Sequence, residues 1–290
     1  MQVYIIDYIV ETFILYANEV PSRGLGMLDA RAQSLDLTVA GRDLTIHQNP
    51  GLLKSNLRGG TTGAVLWEVT QHFAEWMVSP SNPMLKHGVL NSTSTILELG
   101  SGITGLIGIV MAPFIRRFIF TDQEYVLKML QKNIDENPAI APSATKTRDK
   151  KHKTKTASQQ QQPTRTNNHM EVMALDWEVS SLQQLPQLLG DDEGVDAVLA
   201  VDCVFNESLV KPLVQTCKAI CSLRDKSDGL QPTVCVFAQQ RRSDQVFELW
   251  CATMMQYFTV WRVPSDMLPK ELGDKSGFVI HLAVLKGVTS

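Results

Sequence analysis

Cysteine is scarce in this sequence and is absent from its first two thirds. All five cysteines of the 290-residue chain follow residue 200, and no two of them form a Cys-x-x-Cys pair. Two of them stand four residues apart on a predicted helix, but no histidine or further cysteine accompanies them at ligand spacing. We therefore predict core cysteines, no metal site and a reducing compartment. The five are Cys203, Cys217, Cys221, Cys235 and Cys251.

Long apolar runs are also missing. No stretch of about 18 consecutive apolar residues occurs, so we expect no membrane span. The N-terminal 16 residues are apolar, but they contain Asp7 and Glu11 and no basic residue, which is a poor match to a secretory signal. We predict a cytoplasmic protein, with access to the nucleus left open.

The chain has enough apolar residues, 44%, to bury the core of one α/β domain, which we predict over residues 1–290. Its net charge of −3 conceals an asymmetry, because residues 141–169 carry a balance of +6 and leave about −9 on the remainder. An acidic body favours basic partners over nucleic acid. We expect a monomer.

Residues 141–169 form a low-complexity segment with seven basic residues and a run of four glutamines. No apolar periodicity survives there, so we predict a disordered insertion in a loop. A basic run of this kind also fits an RNA contact or a nuclear address, although a plain surface loop is the favoured interpretation.

The most informative stretch is S-T-I-L-E-L-G-S-G-I-T-G, residues 94–105. Its apolar residues predict a buried strand, three glycines come next, and a helix is predicted over 106–111. Strand, glycine turn and helix together are typical of a nucleotide-binding site. The glycines let the backbone approach a ligand closely, and the helix N-terminus presents free N–H groups and a positive dipole end.

Two cofactors fit the glycine turn. The spacing Gly100-x-Gly102-x-x-Gly105, with Asp122 about 20 residues beyond, matches the dinucleotide fingerprint and does not by itself separate NAD from S-adenosyl-L-methionine. Glu98 favours S-adenosyl-L-methionine, because an acid two residues before the first glycine would meet a cationic amino group but repel a pyrophosphate. A tight turn without any ligand remains the plain alternative.

The rest of the chain predicts a Rossmann-like α/β fold. Further strands are expected over 116–122, 169–177, 197–201, 232–240, 257–263 and 277–285, giving seven strands, mostly parallel, with helices on both faces and an antiparallel last strand. A helix is predicted from Thr61 to Val78. Two alternating runs, 35–39 and 43–47, predict a β-hairpin outside this sheet, within an N-terminal appendage of residues 1–60.

Polar or aromatic side chains stand where successive predicted strands end: Glu98, then Asp122, then Asp176 with Trp177, then Asp202. In open α/β sheets, ligands bind outside the carboxyl ends of the strands. A helix cap explains one such residue, Asp122 for example, as well as a ligand does, but it hardly explains four.

At these residues the chain resembles the seven-β-strand S-adenosylmethionine-dependent methyltransferases. Within that group it is similar to the protein-lysine methyltransferases of the family-16 type, most of all to the fungal enzymes that methylate a lysine of a ribosomal protein. The resemblance runs from about residue 35 to 286 and skips the insertion. The matching segments are T-G-A-V-L-W (62–67), E-L-G-S-G-I-T-G (98–105), T-D (121–122), L-D-W (175–177) and D-C-V-F-N-E (202–207).

The resemblance implies eight residues that bind S-adenosyl-L-methionine. The methionine portion would be wrapped by the turn, with Glu98 close to the amino group, and the ribose hydroxyls would be held by Asp122. Trp177 would pack on the adenine, the backbone of Val201 would line the pocket, and Trp67 would close the site from the helix side. The three turn residues are Gly100, Ser101 and Gly102.

The resemblance also implies a catalytic pair. Asp202 begins an acidic-x-x-aromatic signature that the family places beside the incoming lysine, and the aromatic residue here is Phe205, where many relatives have tyrosine. We predict that Asp202 chiefly orients the lysine and serves only weakly as a base. Phe205 would desolvate the amine or hold its cationic form by cation–π attraction.

Two rival functions also fit parts of the sequence. A nicotinamide-dependent dehydrogenase fits the glycine spacing but explains neither L-D-W nor D-C-V-F-N. A non-catalytic protein could keep the methyltransferase fold and bind partners through the basic insertion, but it would have little reason to retain Glu98, Asp122 and Trp177 together.

Overall fold

The computed structural model describes residues 6–17, 24–54, 61–138, 170–179, 186, 189, 194–224 and 231–287. The predicted insertion over 141–169 lies outside the described residues. In the described part the α-helices are α1 (Tyr8–Tyr16), α2 (Glu68–Met77), α3 (Pro83–Lys86), α4 (Leu106–Met111), α5 (Glu124–Glu136), α6 (Glu207–Arg224) and α7 (Asp244–Tyr257). The strands are β1 (Ser34–Val39), β2 (Arg42–His47), β3 (Thr95–Leu99), β4 (Arg117–Asp122), β5 (Met170–Ala174), β6 (Ala197–Val201), β7 (Val234–Gln240), β8 (Phe258–Arg262) and β9 (Phe278–Leu285).

Seven strands form one sheet in the order β5-β4-β3-β6-β7-β9-β8. All run in the same direction except β9, which pairs antiparallel with β7 on one side and β8 on the other. The sheet confirms the predicted fold class, including the antiparallel last strand. The order reverses beside β3, so the chain leaves the carboxyl ends of β3 and β6 toward opposite faces of the sheet, which opens a crevice between the two connections.

The two central strands, β3 and β6, are buried along their whole length. This is why they read as continuous apolar runs rather than as alternating ones. Helices α2, α4 and α5 pack on one face of the sheet, and α6 and α7 pack on the other. All five cysteines are buried free thiols, including Cys217 and Cys221, which were predicted as core residues, and four of the five lie on α6, β7 or α7. In the segments that the structure describes, no helix is long and apolar enough to cross a membrane.

The predicted hairpin is present as a separate two-stranded sheet, β1 with β2. Its turn residues, Ala40 and Gly41, both have positive φ, as a tight two-residue hairpin requires. The hairpin is held against α5 by side-chain amides, because Asn133 Oδ1 accepts from His47 N and Asn137 Oδ1 accepts from Thr45 N.

The helix predicted from Thr61 to Val78 was wrong at its start. A 3-10 turn, Thr62–Ala64, is followed by extended backbone, and α2 begins only at Glu68 with Trp67 at its N-cap position. Residues 24–28, which we call the strap, run alongside residues 66–68 and form hydrogen bonds with their backbone in place of helical hydrogen bonds. Leu28 N donates to Leu66 O and Glu68 N donates to Gly26 O, so tertiary pairing competes with helical pairing at this point.

Candidate functional site

All ten residues predicted for the site line one cavity of about 310 Å³ at the carboxyl ends of the parallel strands. They come from five separate parts of the chain, which the sheet brings to the same edge. Their individual roles stay predictions, but their common location does not depend on those roles. The ten are Trp67, Glu98, Gly100, Ser101, Gly102, Asp122, Trp177, Val201, Asp202 and Phe205.

Gly100 opens the floor of this cavity. Its φ of +69° lies in the left-handed region, which strains any residue with a Cβ. A Cβ placed there would lie 2.8 Å from Cys203 Sγ and 3.3 Å from Cζ2 of Trp177. The indole therefore packs directly over bare backbone, which leaves the adjoining space for a ligand.

Gly102 makes the second close approach. A Cβ on Gly102 would lie 3.1 Å from the carbonyl oxygen of Gly63, and that same oxygen accepts from Ile103 N at 2.8 Å. On the other side Gly102 N donates to Asp122 Oδ2 at 2.8 Å. The turn is thus clamped between the segment that precedes α2 and the end of β4.

Glu98 lies beneath the turn as a buried carboxylate, only 3% exposed. Its Oε2 has no hydrogen-bond partner among the described residues. Burial raises the pKa of Glu98 to about 8, the Ser101 hydroxyl lowers it, and the charge of Asp122 raises it further. A buried acid oxygen without a hydrogen-bond partner is costly, so this Oε2 suits a ligand that brings a cationic donor, such as the amino group of S-adenosyl-L-methionine. A pyrophosphate would offer it no donor.

This burial predicts a pH-dependent stability in the absence of any ligand. The raised pKa means that, between about pH 5 and 8, the folded chain holds a proton on Glu98 that the unfolded chain releases. The contribution of Glu98 to the free energy of unfolding is therefore fully present at low pH and is lost as the pH rises. Relative to Glu98→Gln, the wild type should lose about 1.4 kcal/mol of unfolding free energy per pH unit over that range, measured by urea denaturation.

The exposed Glu124, in the first turn of α5, provides the matched control. Glu124→Gln should leave the slope of stability against pH as it is in the wild type. If the free energies of unfolding of the wild type and Glu98→Gln changed in parallel with pH, the raised pKa of a buried Glu98 would be contradicted.

Asp122 anchors the turn as well as facing the cavity. Its Oδ1 accepts from Gln123 N at 2.7 Å and its Oδ2 accepts from Gly102 N at 2.8 Å. Burial raises the pKa of Asp122 to about 6, and these two backbone hydrogen bonds lower it. The N-cap of α5 is Gln123, so Asp122 is not the helix cap that position alone allowed. A carboxylate has about four acceptor sites, which leaves capacity for ribose hydroxyls.

Two indoles and one aliphatic residue of the predicted set contribute to the apolar lining. Trp177 follows β5 and Val201 is the last residue of β6. Trp67 is fixed by its Nε1, which donates to the carbonyl of Thr62 at 3.0 Å. Its position before α2, rather than inside the helix, is what lets the ring reach the cavity.

Asp202 and Phe205, the pair predicted to meet the acceptor lysine, line the part of the cavity that we call the acceptor end. Asp202 has φ +57°, one of only two positive values among the described non-glycine residues. Its carboxylate binds the guanidinium of Arg242, with Oδ1 and Oδ2 each 2.6 Å from one nitrogen. Phe205 is 36% exposed and lines the rim. The acid predicted to orient a lysine is therefore already paired with a cation.

The sequence interpretation missed Arg242, Tyr125, and the strap residues Leu25 and Met27, all of which line the cavity. A signal for Arg242 was available, because it follows β7 just as Asp202 follows β6, and polar residues after such strands face one edge. No local pattern marks Leu25 or Met27, since the strap is held at the cavity by contacts with residues distant in the sequence, such as the bridge between Met27 and Trp67.

These features define a class of protein. The architecture is that of the S-adenosyl-L-methionine-dependent methyltransferases. It has a seven-stranded Rossmann-like sheet, a glycine turn where the strand order reverses, and a buried carboxyl group with one unpartnered oxygen. The model of one family, described as lysine methyltransferase, matches residues 46–151 and 145–249. These matches cover more than half of the chain, which belongs to the lysine methyltransferase family.

Two individual relatives each share less than 30% sequence identity with this chain. A Schizosaccharomyces pombe protein named diaminohydroxyphosphoribosylamino-pyrimidine deaminase is 28% identical over 261 residues, which is 90% of this chain and 54% of that protein. Ribosomal lysine N-methyltransferase 5 of Eremothecium gossypii is 29% identical over 225 residues, 69% of each chain. The chain thus spans about half the length of the first of these relatives.

Among solved structures, a Pyrococcus abyssi tRNA (uracil-54, C5)-methyltransferase in complex with S-adenosyl-L-homocysteine aligns with a TM-score of 0.38 and 15% identity. The alignment covers 88% of this chain and 45% of that one.

Proposed function

We propose that this chain transfers a methyl group from S-adenosyl-L-methionine to a lysine side chain of a protein, with a ribosomal protein as the substrate class. The observation that carries the proposal is the unpartnered Oε2 of Glu98, in the same cavity as Asp202 and Phe205. The family match covers 46–249, the part that contains all ten site residues, and relatives such as that of E. gossypii are named as ribosomal lysine methyltransferases. A cytoplasmic location remains a prediction.

The residues present fit the cofactor. Glu98 would receive the amino group, Asp122 the ribose hydroxyls, and Trp177 the adenine, while Gly100 and Gly102 leave room for the methionine portion. When bound, S-adenosyl-L-methionine supplies an electrophilic methyl group on a sulfonium. Because such a transfer is an in-line displacement, the chain's task is to align donor and acceptor and to exclude water.

The acceptor must lose a proton before it can react. A lysine with an ordinary pKa of about 10.4 is cationic at neutral pH and has no free lone pair. Apolar side chains at the acceptor end, Phe205 and Leu209, disfavour the charged form by removing water from it. Asp202 would then orient the amine rather than take its proton, since both of its oxygens already bind Arg242.

The test is methyl transfer into extract from cells that lack the protein. Purified chain and isotope-labelled S-adenosyl-L-methionine are expected to label one or a few lysines, identified by mass spectrometry of digested protein. A variant with Gly102→Val, which should not hold the cofactor, provides the blank. Label on small molecules or on residues other than lysine would contradict the proposal, and the absence of label with cofactor bound would favour a non-catalytic protein.

Calorimetry separates the dehydrogenase alternative. S-adenosyl-L-methionine is expected to bind and NADH is not, because the unpartnered Oε2 of Glu98 needs a hydrogen-bond donor that a dinucleotide pyrophosphate does not offer. NADH binding, with no binding of S-adenosyl-L-methionine, would reverse the assignment.

A further inference from the structure

Arg242 connects four parts of the acceptor end. Beyond its two bonds to Asp202, its Nη2 donates to Leu25 O at 3.0 Å and to Gln240 Oε1 at 3.1 Å. The guanidinium carbon lies 5.2 Å from the centroid of the Trp67 ring, within cation–π range. One side chain thus joins the end of β6, the end of β7, the strap and the residue before α2.

The Asp202 carboxylate depends on this contact for its orientation. The Asp202 backbone has a left-handed φ that a non-glycine residue adopts at some cost, so its conformation needs support from neighbouring groups. The Asp202 backbone is held by its own N–H, which donates to Ala238 O at 2.7 Å, and its carboxylate by the planar fork of Arg242 and by Gln240 N, which donates to Oδ1 at 3.2 Å. A lysine ammonium cannot reproduce two parallel bonds to one carboxylate.

The strap is seated by the same group of contacts. Gly26 lies so close to β7 that a Cβ there would sit 1.8 Å from Gln240 Oε1, and Arg242 holds the neighbouring carbonyl of Leu25. Leu25 and Met27 both line the cavity. Loss of Arg242 would therefore loosen one wall of the cavity as well as Asp202.

The ion pair also sets the charge that an acceptor amine meets. A lone carboxylate beside an amine favours the ammonium and raises its pKa, which opposes the deprotonation that transfer needs. With the guanidinium on both oxygens, Asp202 remains a hydrogen-bond acceptor while most of its charge is cancelled. The side chain of Asp202 is 3% exposed, so solvent does little to screen this effect.

We propose that Arg242 is a positioning residue, which holds the Asp202 carboxylate and cancels its charge so that a lysine amine is oriented without being kept protonated. The proposal rests on the proposed lysine methylation. It concerns a residue that acts through Asp202 and not one that touches the cofactor.

The first test is the pH dependence of methyl-lysine formation, with extract from cells lacking the protein as acceptor. Arg242→Gln leaves the Asp202 carboxylate without its counter-ion and is expected to shift the rate profile to higher pH by about one unit. Adding Asp202→Asn to that variant should remove the shift, and Arg242→Lys should lower the rate by roughly tenfold with a smaller shift. Arg31→Gln, at an exposed arginine, is the matched control. An equal loss of rate at every pH would overturn the charge-cancelling role.

A second readout needs no substrate. It is hydrogen exchange at two backbone amides, that of Gln240, which donates to Asp202, and that of Leu28 in the strap. Both amides should exchange at least about tenfold faster in Arg242→Gln than in the wild type or in Arg31→Gln. Unchanged exchange at both amides would overturn the positioning role.

The two readouts also separate the proposals. A wild-type protein that forms no methyl-lysine would contradict the proposed function and the charge-cancelling role together, while the exchange measurement would still decide whether Arg242 positions Asp202 and the strap.

Discussion

Asp122→Ala is expected to weaken S-adenosyl-L-methionine binding by at least about 100-fold, close to 2.7 kcal/mol, in a calorimetric titration. The variant removes the ribose acceptor and also leaves the amides of Gly102 and Gln123 without the oxygens that they bind at 2.8 and 2.7 Å. Each buried amide left without an acceptor costs about 1–3 kcal/mol, and the cost at Gly102 falls on the cofactor turn itself.

Two further variants sharpen this prediction. Asp122→Asn keeps one acceptor oxygen and should lose roughly tenfold, between the wild type and alanine. Asp135→Ala, on the exposed side of α5, removes a carboxylate from the next helix without touching the cavity and should bind normally. Wild-type affinity in Asp122→Ala would mean that Asp122 only ends a strand.

Gly100→Ala is expected to abolish both cofactor binding and methyl transfer. Its new methyl group would lie 2.8 Å from Cys203 Sγ and 3.3 Å from the Trp177 ring, so the thiol has to shift and the indole that is predicted to pack on the adenine has to give way. The measurement is a calorimetric titration with S-adenosyl-L-methionine, alongside thermal unfolding to confirm that the variant is folded.

Gly41→Ala separates backbone strain from the loss of space. Gly41 has φ +73°, close to the +69° of Gly100, but a Cβ there would meet nothing within 4 Å. Both variants should lose about 1–2 kcal/mol of stability through strain, and only Gly100→Ala should lose the cofactor. Normal binding by Gly100→Ala would show that the cofactor lies elsewhere.

The sheet was predictable wherever burial is complete. Strand β6 was found at the predicted residues, Ala197–Val201, and α4 at the predicted 106–111, because a buried parallel strand is one apolar run and a glycine turn marks the start of the next helix. The start of α2 was not predictable. Its apolar spacing continues back to Thr61 and therefore predicts helix there. The strap hydrogen-bonds to this backbone instead, and helix propensity carries no information about a segment that is distant in the sequence.

The site divides in the same way. The local order of residues determined the glycine turn, the acid beneath it and the polar residues after β4, β5 and β6, because each is set by neighbours a few positions away. Only the tertiary structure decided that Arg242 pairs with Asp202 and that the strap closes the wall. Arg242 is 40 positions from Asp202 and 217 positions from Leu25 in the sequence. Contacts over such separations depend on how the sheet folds rather than on any local pattern.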